Sequence, residues 1–382
     1  MSFADFKNFF KTNGSSALGI DIGSSSLKVV ELTREGSKAV LKAYGEIALG
    51  PYAGSSVGAI TSLSNSKIAE ALRDVLREAA IQTKESGVAI PFKSSLVSLI
   101  EMPALPEKKL EEIIPIEARK YIPVPISEVT LDWWIIPKER YDHVEQQAKR
   151  DEAQQSKEGG QILPRITEKT DVLVISIHNE ILSNYNNIIK DNALETSFFE
   201  IEMFSAARAL IVKSDTPVII FDFGALGTKL YIVEKGIIRA SHIINRGSND
   251  ITQNISKALG IDFPEAEKVK RNIMSLKESD QKMVGDIVDL TLSYIWSETR
   301  SIIANFERKY TKHIGNVILT GGGVSLPGFK SMVEKELSIK AELGNPFGKI
   351  TTPSFLSAAL RDTAHEFAVA AGVALRKLEE LG

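Results

Sequence analysis

The chain contains no cysteine, which excludes disulfide bonds and thiolate metal sites. Its five histidines are scattered without an HExxH or similar spacing, and we interpret them as structural or surface residues. A net charge of −3 provides no basic field that would attract nucleic acid. No apolar run approaches the ~20 residues that span a bilayer. The remaining composition, 43% hydrophobic and 25% charged over 382 residues, indicates a soluble globular protein of two or three domains.

A polar turn separates two apolar β-forming stretches in LGIDIGSSSLKVVEL, residues 18–32. This pattern predicts a hairpin. Its tip carries a carboxylate, a glycine, three hydroxyls and a lysine: Asp21, Gly23, Ser24, Ser25, Ser26 and Lys28. Consecutive backbone N–H groups in such a turn can bind an anion, and a glycine lets a ligand approach closely. Asp21 could hold the hydrated Mg²⁺ that accompanies a nucleotide. Taken alone, a Gly/Ser turn that joins two strands is more often ordinary turn chemistry.

The same turn occurs a second time in VIIFDFGALGTKLYIVEKG, which begins at Val218. Aligning Asp222 with Asp21 gives an offset of 201 residues. The following glycine and lysine then align as well, Gly224 with Gly23 and Lys229 with Lys28. Four residues of this second turn are predicted to contact the ligand: Gly224, Ala225, Gly227 and Thr228. Two such units in register predict a duplicated fold with a ligand between its halves.

A third glycine-rich element follows an apolar strand in NVILTGGGVSLPGFK, residues 316–330. Gly321, Gly322 and Gly323 permit a close approach of the backbone to a planar ring or a ribose. A triple glycine by itself is also compatible with a flexible loop. After a buried strand and before a predicted helix, we interpret it as a ligand contact.

Two phosphate-type hairpins with a glycine loop for adenosine resemble the superfamily of actin, hexokinase and DnaK-type ATPases. The chain resembles more closely the PilM family of actin-like ATPases of type IV pilus assembly, and next the division protein FtsA. The glycine motifs indicate only the superfamily. The segment EARKYIPVPISEVTLDW, residues 117–133, indicates the PilM family.

This resemblance implies an α/β, actin-like (ribonuclease H-like) ATPase fold with two related cores, each carrying an accessory lobe. The first core would comprise residues 1–93, 193–215 and 364–382. The second core would comprise residues 216–256 and 313–363. An inserted α+β lobe for partner binding, residues 94–192, and a helical lobe, residues 257–312, would complete the chain.

The resemblance also implies that ATP and Mg²⁺ are the cofactors. Asp21 and Asp222 would hold Mg²⁺ through its waters, while the hairpin hydroxyls, amides and Lys28 would contact phosphates. Glu202, in IEMFSAARAL, resembles a residue that orients the attacking water; the alternative is a solvated glutamate in a first helical turn. Three residues of EAEKVKR resemble the helix that closes over adenosine, or else a charged helix face: Glu267, Lys270 and Arg271. We expect weak or partner-dependent hydrolysis.

The resemblance implies a cytoplasmic scaffold at the inner membrane that grips the N-terminal tail of a PilN-type membrane protein. The tail would dock in a groove between the first core and the inserted lobe, and other pilus or type II secretion components and self-assembly are further expectations. The alternatives are an FtsA-like division protein and a small-molecule kinase. FtsA usually carries a membrane helix after a C-terminal linker, and this chain ends at RKLEELG.

Two further segments carry expectations of their own. The phenylalanine-rich start, MSFADFKNFFKTNG, predicts a short amphipathic helix for a membrane surface or a partner, or one packed on the body. The charged stretch of residues 138–169 predicts a mobile loop or hairpin tip.

Overall fold

The structure is a computed structural model that describes residues 15–103, 105–136, 169–211, 214 and 216–382. The phenylalanine-rich start and nearly all of the charged stretch lie outside the described residues. Contacts divide the chain into a larger unit, Met1–Phe92 with Asn184–Gly382, and a smaller unit, Lys93–Ser183. The smaller unit therefore starts one residue before the proposed inserted lobe and ends nine residues before its proposed end.

The described elements combine runs of strands with helices, as expected of an α/β fold. The strands are β1 (Ser16–Ile22), β2 (Ser26–Glu35), β3 (Lys38–Ala48), β4 (Glu85–Ile90), β5 (Ser95–Pro103), β6 (Val129–Ile136), β7 (Lys169–His178), β8 (Glu195–Ile201), β9 (Val218–Phe223), β10 (Thr228–Glu234), β11 (Ile237–Ile244), β12 (Asn316–Thr320) and β13 (Ala341–Leu343). The helices are α1 (Asn65–Glu78), α2 (Glu107–Ala118), α3 (Asn179–Asp191), α4 (Glu202–Leu210), α5 (Ser248–Leu259), α6 (Phe263–Arg271), α7 (Glu278–Tyr310), α8 (Phe329–Leu337), α9 (Ser357–Thr363) and α10 (Ala368–Glu380).

Two sheets of the larger unit share one topology. The first has the order β3-β2-β1-β4-β8 and the second the order β11-β10-β9-β12-β13. In each sheet a three-stranded antiparallel meander is followed by two parallel strands. The duplicated core predicted from the two turns is therefore present in the order and direction of the strands.

Apolar side chains of the first core pack a helix on each side of its sheet. Helix α1 begins after Ser64, whose side chain accepts a hydrogen bond from the Lys67 N–H, and it buries Leu72 and Val75. These residues join a cluster that includes Ile188 of α3. Helix α10 packs against β1 and α4 on the opposite side, through buried alanines and a glycine. The small side chains of α10 allow this close packing.

The 33-residue helix α7, which lies in the predicted helical lobe, packs its apolar face against the second sheet. One face of α7 buries Val284, Val288, Leu292 and Ile295, a spacing that follows the helical period. Its Trp296 packs in an aromatic cluster with Phe221 of β9 and Phe329 of α8, and Phe329 stacks on Phe223 at a centroid distance of 4.7 Å. This packing fixes the end of β9, where the second turn begins.

The smaller unit has its own sheet, of order β5-β7-β6, with helix α2 packed on one face. Both strand pairs are antiparallel. Ile100, Ile114 and Val172 are part of its core. Among the helices that the structure describes, none is both long and apolar enough to cross a membrane.

Candidate functional site

The two turns are hairpins with matching register. Strand β1 pairs antiparallel with β2 so that Asp21 lies opposite Lys28, and β9 pairs with β10 so that Asp222 lies opposite Lys229. Each turn is closed by the same backbone hydrogen bond of 3.0 Å, from Gly23 N to Ser26 O and from Gly224 N to Gly227 O. Each hairpin thus presents a carboxylate and an amine at the same place beside a tight turn.

Both hairpins open into one cleft of about 530 Å³. Its lining contains nearly all the residues predicted from the sequence: Asp21, Gly23, Ser24, Ser25, Ser26, Lys28, Glu202, Asp222, Gly224, Ala225, Glu267, Lys270, Arg271, Gly321, Gly322 and Gly323. Gly227 and Thr228 do not line it. Thr228 is fully buried, and its hydroxyl donates to the Arg246 carbonyl oxygen at 2.9 Å. Residues separated by up to 302 positions thus form a single surface.

The triple glycine places the backbone against the second hairpin. Gly321 has a φ of +88°, and a Cβ there would lie 2.5 Å from the Asp222 Oδ1 atom. A Cβ on Gly323 would lie 2.5 Å from the Phe223 Cδ1 atom. Gly322 instead faces Glu366, whose Oε2 atom would be 3.4 Å from an added Cβ. The first and third glycines are therefore required for this close approach, and the middle one leaves space in the cleft.

Lys229 joins two acidic side chains of the cleft. Its Nζ atom lies 2.7 Å from Glu202 Oε2 and 3.1 Å from Asp222 Oδ2. Burial alone would lower the pKa of Lys229, but the Asp222 and Glu202 carboxylates outweigh burial and raise it. Glu202 is buried and also accepts a 2.6 Å hydrogen bond from the Phe92 backbone N–H. It is therefore held in place at the start of α4 and is not a solvated glutamate.

Asp21 has the most perturbed carboxyl group of the cleft. Burial, with a smaller contribution from the Glu202 charge, raises its pKa from 3.8 to about 7. Lys28 and Lys229 oppose this increase without cancelling it. A bound cation would reverse the balance, because it favours the ionised carboxylate.

The opposite wall of the cleft is a network between α5 and α6. Glu267 lies 2.6 Å from Lys270 Nζ and 2.8 Å from Arg271 Nε, and it accepts a 2.7 Å hydrogen bond from the Thr252 hydroxyl. Burial alone would raise the pKa of Glu267, but Lys270 lowers it. Gly58, in the connection from β3 to α1, lies against the Glu267 side chain. The network holds the three side chains that were predicted to close over adenosine along one wall of the cleft.

Sequence reasoning did not assign several residues that line the cleft: Glu46, Val57, Gly58, Lys229, Ser248, Ser325 and Glu366. Lys229 had a signal, since it aligns with Lys28 between the two turns. Glu46 and Glu366 belong to no motif. Lys28 Nζ lies 2.8 Å from Glu46 Oε1 and 4.0 Å from Glu366 Oε2. Glu46 becomes visible as a site residue only when β2 and β3 are paired, and Glu366 only when the short helix Ala364–Phe367 packs beside the cleft.

The donor set of the cleft fits Mg²⁺ better than a metal held by protein alone. Within the described ranges, no three histidine, aspartate or glutamate side chains are grouped to ligate a metal ion directly. Asp21 and Asp222 both interact with Lys229 and both line the cleft. Mg²⁺ is usually held by one or two carboxylates together with phosphate oxygens and retained waters. These two aspartates match that requirement.

The sequence matches a known family over nearly its whole length. The family described as "Type IV pilus assembly protein PilM" matches residues 19–155 and 161–378. The chain belongs to the PilM family. A solved PilM-PilN type IV pilus biogenesis complex contains a chain that is 25% identical, with a TM-score of 0.76, covering 95% of this chain and 98% of that one. The predicted family and the predicted actin-like ATPase fold are confirmed.

More distant relatives agree with the fold. The ethanolamine utilization protein EutJ from Carboxydothermus hydrogenoformans has a TM-score of 0.53 at 14% identity, covering 94% of this PilM-family chain and 89% of EutJ. The cell division protein FtsA of Staphylococcus epidermidis is 23% identical over 221 residues, which are 52% of this chain and 47% of FtsA. The chain thus spans about half the length of this curated relative. EutJ supports the fold alone.

Proposed function

We propose that this PilM-family chain binds Mg·ATP in the cleft and acts as a scaffold of the pilus assembly platform. The observation that carries the nucleotide site is the meeting of both hairpins, the triple glycine and the α6 network around one cleft of about 530 Å³. That volume is within the range of small-molecule sites. The proposal includes a scaffold of a related type II secretion machine, because no residue of the cleft distinguishes a pilus machine from a secretion machine.

Each wall of the cleft has a separate part in this proposal. The serine hydroxyls and backbone amides of the first hairpin, together with Gly224 and Ala225 of the second, would contact the phosphates. Asp21 and Asp222 would hold Mg²⁺, which neutralises phosphate charge when bound. The Glu267 network and the triple glycine would hold the nucleoside. Glu202 is positioned by Lys229 and Phe92 as the candidate that orients water.

Glu202→Gln is expected to retain Mg·ATP affinity and to lower any ATP turnover at least tenfold, because a neutral amide no longer accepts a proton from water. Turnover and binding are measured separately, by phosphate release and by calorimetry. Glu70→Gln is the matched control, since Glu70 pairs with Lys67 on the solvent-facing side of α1 and does not line the cleft. Loss of affinity equal to the loss of turnover would instead assign Glu202 to holding Lys229.

The partner proposed for the scaffold is the N-terminal cytoplasmic segment of a PilN-type inner-membrane protein. The similar solved chain is part of a PilM-PilN complex, which supports this partner at 25% identity. Peripheral association with the inner membrane would follow from this partner. The smaller unit carries exposed apolar side chains at Ile116, Tyr121 and Trp134, with Trp134 47% exposed on β6. Such residues can anchor an extended peptide.

Calorimetric titration with the N-terminal peptide of a PilN-type protein from the same genome, with and without Mg·ATP, tests the partner. Saturable binding is expected, and Trp134→Ser should weaken it about tenfold if the peptide contacts this unit. Leu290→Ser is the matched control, since Leu290 is 77% exposed on α7 in the larger unit. Absence of binding in both nucleotide conditions would contradict the scaffold proposal and leave the nucleotide site standing.

An FtsA-like role in division is the second candidate, and the sequence similarity to FtsA favours it. Deleting the gene distinguishes the two candidates. Loss of pili with normal division supports the pilus role, whereas elongated, undivided cells support the division role. Complementation with the intact chain is the control.

A further inference from the structure

Glu46 is held by groups that the sequence assigns to nucleotide binding. It lies on β3 directly opposite Lys28 of β2, and its Oε1 atom is 2.8 Å from Lys28 Nζ. Lys28 Nζ also donates a 2.7 Å hydrogen bond to the Ser26 hydroxyl. The Ser26 side chain also helps to lower the pKa of Glu46. These three side chains form a polar triangle, joined through Lys28, on the wall of the cleft.

The electrostatic interactions of this triangle favour the ionised forms of both Glu46 and Lys28. Burial alone would raise the pKa of Glu46, but the Lys28 charge, the Ser26 side chain and the more distant Arg271 charge lower it. Burial alone would lower the pKa of Lys28, but Glu46 raises it. All three groups that stabilise the Glu46 carboxylate, namely Lys28, Ser26 and Arg271, are predicted nucleotide ligands. The carboxylate therefore has the electrostatic surroundings of a phosphate oxygen.

We propose that Glu46 competes with nucleotide phosphates for Lys28 and Ser26, and so sets how strongly the cleft prefers a phosphorylated nucleoside. The proposal rests on the nucleotide site proposed above. A lysine that is 11% exposed and already paired gains less from a phosphate than an unpaired lysine would. Glu46 itself is 37% exposed, so its side chain has room to turn toward solvent when Lys28 changes partner.

The second hairpin differs in this respect. Lys229 pairs with Asp222 and Glu202, both of which have proposed roles with Mg²⁺ and water. The pairing of Lys28 with Glu46 has no such role to serve. Glu46 is therefore the residue whose removal changes phosphate affinity while leaving the proposed metal and water positions intact.

Glu46→Gln tests the proposal, because the amide keeps the size of the side chain and removes its charge. The Kd for Mg·ATP is expected to fall about tenfold, which corresponds to ~1.4 kcal/mol, with a smaller decrease for Mg·ADP. Affinity for adenosine, which carries no phosphate, should be unchanged. Calorimetry measures all three ligands on the full chain, and a thermal melt confirms folding. Glu70→Gln on α1 is the matched control and should leave all three affinities at wild-type values.

Glu46→Thr is the second variant, since a β-branched residue suits a strand and also lacks the charge. Unchanged or weaker Mg·ATP binding in both Glu46 variants, with binding intact in the wild type, would overturn the competition. An equal gain for adenosine would overturn it as well, because the effect would not involve phosphate. If neither the wild type nor the variants bind any of the three ligands, the proposed nucleotide site is wrong and the competition fails with it.

Discussion

Asp21→Asn is expected to make the protein more stable at pH 8 and, at the same time, to remove most of its affinity for Mg·ATP. Burial raises the pKa of Asp21 from 3.8 to about 7, so ionising this carboxyl is unfavourable in the folded chain. The difference corresponds to an upper limit of ~4 kcal/mol at a pH above both values. Asparagine has the same shape and never ionises, so it removes this destabilisation. It also removes the charge that a hydrated Mg²⁺ would require.

The contribution of Asp21 to the free energy of unfolding depends on pH. Between about pH 4 and pH 7 the folded chain keeps the Asp21 proton that the unfolded chain has released. The free energy of unfolding therefore decreases as pH rises through this window and is lowest, for this group, above pH 7. Asp21→Asn lacks the decrease. Melting temperatures of both proteins at pH 5 and pH 8 should differ more at pH 8, and the other titrating groups cancel in the comparison.

Asp222→Asn provides the contrast that separates function from stability. Asp222 is buried and lies 3.1 Å from Lys229, so the amide would leave a partly buried ammonium with one charged partner fewer. This variant is expected to lose stability, by about 1–3 kcal/mol, and also to lose Mg·ATP affinity. A higher melting temperature for Asp21→Asn and a lower one for Asp222→Asn, with weaker Mg·ATP binding in both variants, would support a shared role of the two aspartates at the metal. Unchanged Mg·ATP affinity in both variants would contradict the two-hairpin site.

The repeated turns made the cores predictable from the sequence. An aspartate, a glycine and a lysine at matching positions between apolar strands give strong local signals, and both hairpins form with Asp21 and Asp222 in register. Thr228 shows where such reasoning fails. Side chains alternate along a strand, so Lys229 and Thr228 face opposite sides of β10. Since Lys229 faces the cleft, the threonine is directed into the core. The offset of 201 residues aligns Thr228 with Leu27, which is also fully buried, so the prediction went too far in treating each polar residue of the turn as a ligand contact.

Glu46 was not predictable, because a bulge decides its position. At the turn between β2 and β3, Glu35 pairs with Lys38, and continuing that register would place Gly45 opposite Lys28. The register shifts between Glu31 and Leu32, and Glu46 becomes the partner of Lys28 instead. A shift of one residue changes which side chains share a face. The carboxylate therefore enters the site through backbone geometry for which the sequence carries no motif.

Gly372→Ala is expected to destabilise the first core severely, although alanine normally favours a helix. Gly372 lies inside α10, where it contacts the backbone of α4. A Cβ there would lie 1.9 Å from the Ser205 carbonyl oxygen and 2.8 Å from its Cα. Neither atom belongs to a flexible side chain, so the two helices must separate. Overpacking of this kind typically costs about 1–3 kcal/mol, and contact with backbone places this case at about 3 kcal/mol or more.

Gly285→Ala is the matched control for this prediction, because both glycines lie in helix interiors and differ in their surroundings. A Cβ on Gly285 in α7 would meet no atom of the described residues within 4 Å. Its helix should gain up to ~1 kcal/mol from the higher helix propensity of alanine. Thermal melts of the two variants should therefore shift in opposite directions from the wild type. A melting temperature for Gly372→Ala at or above the wild-type value would contradict the close packing of α10 on α4. It would also contradict the support that α10 gives to β1, the strand that carries Asp21.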